Sequence, residues 1–436
     1  MSGRAEAHAI GFNSVDHGAG EAECGAVTAS GGGVAGVAPG WRAVMTVPAP
    51  PVPPRWRMWP LYAAGFTTAF GAHGIAANLG SATGDLRGSL LYLGLLLALY
   101  DGAEVVLKPV FGSVADRVGA RPVLIGGLIV FAAASAVFVV VDDPSWLWLA
   151  RLGQGAGASA LSPAASALVA RMHSKAKQGR AFGSYGFYKS IGYTLGPLLG
   201  GAIVWVGGLS LLFAVMTVLS VGVAVWAVCA VPAVPPLPRA RQTLVDLARR
   251  LSEGSFLRPT AALAAATAAL SVGVGFLPVS GAAAGLGPVV TGAVVSLLAA
   301  SAALVQPRAG RALDDGRLPA RTGIATGLVI AAAGLGCAML PGLTGVLLAA
   351  IGIGIGTGLI TPLAFATLAA ATPDERMGQT MGAAELGREL GDAGGPLLVA
   401  GVAAAATLTV GYAALAVLIA VAPTAMARRS RRAGVG

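Results

Sequence analysis

Charge is scarce in this sequence. Asp, Glu, Lys and Arg make up 11% of its 436 residues, where a soluble domain carries about 25%. With 56% hydrophobic residues, an ordinary soluble fold is excluded. Cys24, Cys229 and Cys337 have no paired spacing and the four histidines are scattered, so neither a disulfide framework nor a metal site is expected. Glycine-rich runs such as Gly352–Gly358 lack the Gly-Lys-Ser/Thr of a phosphate loop. No nucleophile, metal or cofactor constellation stands out, and an enzyme is not expected. No apolar signal-peptide core opens the chain, so cleavage is not expected either.

What the chain does have is a series of apolar runs. Twelve of them are long enough to cross a bilayer, near 59–80, 90–112, 123–141, 146–170, 181–206, 209–231, 260–280, 287–306, 322–340, 344–370, 380–405 and 408–427. Residues 1–58, rich in Gly, Ala and Pro, read as a disordered cytoplasmic tail. Residues 59–231 and 260–427 form two six-helix bundles, joined by a cytoplasmic linker at 232–259 and followed by a basic tail at 428–436. Within the linker, residues 243–251 are amphipathic and suited to a membrane surface. The expected fold is an all-α membrane protein with twelve transmembrane helices in two pseudo-symmetric bundles.

A repeat supports the two bundles. Gly183, Gly192, Gly196 and Pro197 return after 199 residues as Gly382, Gly391, Gly395 and Pro396, with Lys189 falling on Arg388. At the same offset Gly153, Gly155, Gly157 and Pro163 fall on Gly352, Gly354, Gly356 and Pro362. Pro109, Gly112 and Asp116 fall on Pro307, Gly310 and Asp314 after 198 residues. So long a period marks two repeated halves and not a solenoid.

The net charge of +10 would suggest nucleic acid in a soluble protein, but its distribution suggests a membrane. Arg117, Arg121, Arg171, Lys175, Lys177, Arg180, Arg308, Arg311, Arg317 and Arg321 all fall in loops on one side, with the linker arginines and Arg428–Arg432. The positive-inside rule makes that side, and both termini, cytoplasmic. The opposite loops hold Arg87 as their cation, against Asp85, Asp142 and Asp143.

Three local patterns carry more detail. After span two comes a loop with Gly112, Asp116, Arg117, Gly119 and Arg121. Span four holds Arg151, Gln154, Gly155 and Gly157. Span five holds Gly183, Gly192, Gly196-Pro197 and Gly200-Gly201; glycines four apart leave a groove where a neighbouring helix approaches closely. Together these resemble the major facilitator superfamily, and more narrowly its twelve-span drug–proton antiporters, over residues 59–427. The resemblance implies that Asp116 sits near the N-terminus of span eleven, around Thr380, and with Arg117 and Arg121 latches the halves in the outward-facing state. It implies that Arg151 helps govern proton release, and that Gly192, Gly196 and Pro197 pack the halves together. The second-half loop departs from the pattern, reading Gly310-Arg-Ala-Leu-Asp314-Asp315 without an Arg after the first acid. Span one carries no acid, only His73.

The buried charges need their own account. Asp101, Glu104 and Lys108 share one face of span two, and Glu385, Arg388, Glu389 and Asp392 share one face of span eleven. With Arg151 and Lys189 they are ionisable groups at membrane depth, where each unpaired charge costs roughly 2.5–3.5 kcal/mol on insertion scales. Either they form a static brace or they relay protons, with Asp101 and Asp392, nearest mid-span, as the carriers. Counting depth at about 1.5 Å per residue pairs Lys108 with Glu385 and Glu104 with Arg388. Tyr62, Phe66, Phe70, Tyr100, Tyr185, Tyr188, Phe276 and Phe365 are candidates to line a substrate cavity.

The expected function is proton-coupled efflux of amphipathic small molecules by a plasma-membrane monomer. It needs no cofactor beyond the proton gradient and no nucleic acid. Sugar or metabolite efflux, or proton-coupled import, is the alternative.

Overall fold

The computed structural model describes residues 55–78, 86–141, 144–236, 249 and 252–432. The amphipathic stretch of the linker, apart from residue 249, and the tail up to residue 54 therefore lie outside the described residues. Residues 55–58 of the expected tail are part of the fold. Arg55–Met58 form a 3-10 turn, and Met58 is buried in the core.

Every described regular element is helical. The first four long helices are α1 (Trp59–Asn78), α2 (Leu86–Val118), α3 (Ala120–Val141) and α4 (Leu147–Arg171). The next, Gln178–Ala230, breaks at Gly207 and Gly208, where Gly208 takes φ +72°. A side chain there would be strained, and the break turns the chain back through the membrane. Its two arms are α5 (178–206) and α6 (209–230). Then follow α7 (Gly254–Ala283), α8 (Pro288–Asp314), α9 (Ala320–Cys337), α10 (Gly342–Ala371), α11 (Met377–Ala405) and α12 (Leu408–Arg432). This makes twelve helices among the described residues, in two halves, α1–α6 and α7–α12.

The halves repeat their packing as well as their sequence. In the first, α1 packs on α5, α3 on α4 and α2 on α4; in the second, α7 packs on α11, α9 on α10 and α8 on α10. Contacts between halves also come in matched pairs, α2 on α11 with α8 on α5, and α4 on α11 with α10 on α5. Among the described residues, six helical segments are long and apolar enough to cross a membrane by composition alone, the kinked pair counting as one. The helices α2 and α11 are not among them, because each carries its charged face inward.

One boundary corrects the expected loop. Gly112, Asp116 and Arg117 are not in a loop at all, since α2 continues to Val118. Only Gly119, at φ +100°, leaves the helix. A carboxylate one turn from a helix end is held rigidly, and that rigidity matters for what Asp116 meets.

Candidate functional site

The site lies between the halves, and its floor is a pair of carboxylate contacts at the end carrying the basic loops. Asp116 accepts hydrogen bonds from the backbone N–H of Gly378 at 2.6 Å and of Gln379 at 2.8 Å. These are the first free donors of α11, which begins at Met377, so the helix dipole favours the carboxylate. Asp314 repeats the arrangement on α5, accepting from Gly179 N–H and Arg180 N–H at 2.8 Å each. Gly179 and Arg180 precede Gly378 and Gln379 by the 199 residues of the repeat. Asp315 then pairs with Arg180 and, at 2.5 Å, with Arg317. Hydrogen bonds from Arg317 and Arg180 hold its carboxyl below the usual range. From the sequence Asp314 has no role of its own, because the residue after it is not Arg. Its register with Asp116 was the signal that could have found it.

Glycine lets these ends meet. A Cβ on Gly112 would overlap the carbonyl of Gly378, and one on Gly310 would overlap that of Gly179. Gly183 likewise faces Gln306 and Pro307 of α8. The rest of the span-five pattern points elsewhere, which corrects its expected role. Gly192 packs on Phe66 and Ala69, Gly196 on Phe70 and Gly74, Gly200 on Gly74 and Gly201 on Asn78, all in α1 of the same half. Pro197 is exposed. The nine residues from Gly183 to Gly192 turn the helix by about 900°, onto its opposite face. The face with Gly183 therefore touches the other half, while the face with Gly192, Gly196 and Gly200 is bound to α1.

A consequence can be tested. In Gly196→Leu the added side chain meets the Phe70 carbonyl, 2.9 Å from where a Cβ would stand, and overpacking of this kind costs about 1–3 kcal/mol. The variant should melt at lower temperature in detergent. A melting curve equal to wild type would show that α1 yields without cost.

Above the floor lie the charges. Lys108, 1% exposed, donates to Glu104 at 2.8 Å and across the interface to Glu389 at 2.5 Å. Glu385, also 1% exposed, lies 3.2 Å from Arg388 and 3.9 Å from Lys189. Both pairings expected from depth are thus corrected: Lys108 meets Glu389 and not Glu385, and Arg388 meets Glu385 and not Glu104. Helical side chains tilt toward their own N-terminus. Since α2 and α11 run in opposite directions, Lys108 reaches away from the basic end and Glu389 reaches toward it. The tilts add up to about one turn, the distance from Glu385 to Glu389.

Arg151 is fully buried and its partners are neutral. Its guanidinium lies 4.2 Å from the Tyr100 ring centroid and donates to Gln154 at 3.2 Å. Gln154 is itself fixed by Ser135 at 2.9 Å. A cation over a desolvated ring gains about 2 kcal/mol.

Glu104, Lys108, Lys189, Arg388 and Glu389 line a narrow cleft with about 50 Å³ of free space, enough for a few water molecules. Asp101 and Asp392 stand exposed along it, on the side away from the basic end. Of the eight aromatics expected to line a substrate cavity, only Tyr100 does so. Tyr62 stacks on Tyr188 at 5.0 Å, Phe66 on Phe70 at 5.5 Å and Phe182 on Phe365 at 5.4 Å. Tyr185 is buried under Gly65, and Phe276 packs against the core. Aromatic bulk in this chain fills gaps between helices. Two rings not among the candidates do reach the cleft, His73 and Tyr193, in edge contact at 4.4 Å. Tyr193 also accepts from Arg388 at 3.4 Å. Arg117 is exposed, and Arg121 turns to its own half, donating to the Val228 carbonyl of α6 at 2.5 Å. Among the described residues, neither is bonded across to the other half as the latch required.

Known proteins resemble this chain in sequence and in fold. Residues 61–396 fit the family model of the Major Facilitator Superfamily. The multidrug resistance protein MdtH of Cronobacter sakazakii is 29% identical over 174 residues, 40% of this chain and 42% of that protein. MdtH of Yersinia pestis is 32% identical over 116 residues, 27% of this chain and 29% of that protein. The chain thus matches less than half the length of these relatives. The crystal structure of the human organic anion transporter MFSD10 has the same fold, with a TM-score of 0.74, 18% identity and coverage of 85% of this chain and 99% of that one. So does the transporter FucP in its outward conformation, with a TM-score of 0.69, 12% identity and coverage of 85% and 98%. With the match running from α1 into α11 and the two halves repeated around a charged cleft, the chain belongs to the Major Facilitator Superfamily of membrane transporters.

Proposed function

We propose that this protein exports amphipathic small molecules across the plasma membrane, driven by protons entering in exchange. In this reading the basic end and both termini are cytoplasmic, the working unit is a monomer, and the proton gradient replaces any cofactor. The name shared by the MdtH relatives supports drug export. The observation that carries the proposal is the placing of Asp101 and Asp392. Both face the cleft while the neighbouring acids are tied to Lys108, Lys189 and Arg388. Paired acids hold the closed conformation, and the two outer acids are free to exchange protons with water on the far side. The twin latches at Asp116 and Asp314 support an outward-facing state, since they shut the basic end. Alternating access then means exchanging these contacts for closure on the other side.

Substrate accumulation in a deletion strain tests the proposal. A fluorescent lipophilic dye should accumulate more in the deletion strain than in wild type, and an uncoupler should erase the difference. Asp392→Asn, which keeps the shape but cannot ionise, should lose the uncoupler-sensitive part while still reaching the membrane. Lower accumulation in the deletion strain would mean import instead. A difference that survives the uncoupler would remove the proton from the mechanism.

A further inference from the structure

A second cavity lies away from the cleft, on the outer flank of the first half. It is a groove of about 520 Å³ between the start of α3 and the chain leaving α6, lined by Val118, Arg121, Ile125, Ile129, Val234 and Pro236, among others. Its walls are mainly apolar, and Val118 and Ile129 are each more than half exposed. Apolar groups exposed at a helix flank in a membrane protein meet acyl chains, not water. One end of the groove is different. Arg121 is anchored there by one nitrogen on Val228, while its Nε is shielded and has no partner. Arg117 is exposed four residues earlier, and Arg171 donates to the Pro235 carbonyl at 2.8 Å on the same strip of chain.

The geometry points to a bound phospholipid with an anionic headgroup, its acyl chain in the groove and its phosphate on Arg121. An apolar trough closed by a cation matches such a lipid in both parts, and a guanidinium suits phosphate through its planar fork of donors. The basic end also lies where anionic lipids collect under the positive-inside rule. The role of Arg121 is then to fasten the first half to the leaflet through its own flank. That explains why it turns from the opposite half.

Gly126, in the groove wall, provides a clean test, because a Cβ there would meet nothing within 4 Å. The full chain is reconstituted in phosphatidylcholine vesicles with and without added phosphatidylglycerol, extracted into detergent, and weighed by native mass spectrometry. Wild type should retain phosphatidylglycerol at least several-fold over phosphatidylcholine. Gly126→Trp should fill the groove and retain neither. Arg121→Gln should lose the preference and keep some phosphatidylcholine. Equal retention of the two lipids by wild type would overturn the assignment, as would unchanged retention in Gly126→Trp. Displacement of the lipid by inorganic phosphate alone would show an ion site and overturn it too.

Discussion

Lys108→Met is expected to abolish transport and to cost about 3–5 kcal/mol of stability, the range for removing one partner of a buried ion pair. The lysine is 1% exposed and lies between Glu104 and Glu389. Its loss leaves two carboxylates facing each other away from bulk water. They must repel or take up a proton, and either outcome dismantles the bridge between α2 and α11. Thermal unfolding in detergent and dye efflux from vesicles give the two readouts. Exchange of the cross-interface partners separates pairing from mere bulk. Lys108→Glu with Glu389→Lys keeps the sum of charges and should recover part of the function that each single change destroys. Glu104→Arg with Arg388→Glu should recover none, because Arg388 is committed to Glu385. Recovery by the second pair and not the first would place the bridge one turn farther from the basic end along α2 than it stands here.

The next largest effect should come from the glycines of the floor. Gly112→Val and Gly310→Val each put side-chain carbons into the backbone of the opposite half, at Gly378 and Gly179. Backbone cannot yield as a long side chain does, so the basic end should no longer close. Each half keeps its own packing, and the melting temperature should stay close to that of wild type. Transport should stop. In a chain whose native cysteines are replaced, Ser190→Cys should become reactive to an impermeant thiol reagent applied from the basic side. Ser190 sits above the floor, bonded to Gln306 at 2.7 Å. An unreactive cysteine in an inactive variant would mean the valine locked the gate shut instead. The two positions should behave alike, because Asp116 and Asp314 make the same contact on repeated helices.

Much of this was legible beforehand wherever composition or spacing determines the answer. Apolar runs of bilayer length determine the spans, and the glycine register at an offset of 199 residues determines that the halves repeat. Charges at membrane depth must be paired or face water, so Lys108, Glu104, Glu385 and Glu389 had to find partners, while Asp101 and Asp392 face the cleft. The family resemblance, not the spacing, implied a place for Asp116 near the start of α11; its carboxylate accepts from the Gly378 N–H. Asp314 was equally readable from the repeat, and was overlooked because the local pattern around it is imperfect.

What the sequence alone determined, then, is one-dimensional: which segments cross, which charges are buried, which residues repeat. The tertiary structure decided the partners. Depth along a helix follows from counting residues, but the direction a side chain leans does not enter the count. That lean moved the partner of Lys108 from Glu385 to Glu389. A row of glycines shows that a helix will be approached closely without showing by which neighbour. The two and a half turns between Gly183 and Gly192 gave one face to α8 and the other to α1. Aromatic residues are equally suited to a binding cavity and to a packed seam, and only the three-dimensional arrangement sent seven of the eight to the seams. Both ambiguities have the same physical origin. Apolar contact and backbone proximity are non-directional, and direction comes only from the neighbours.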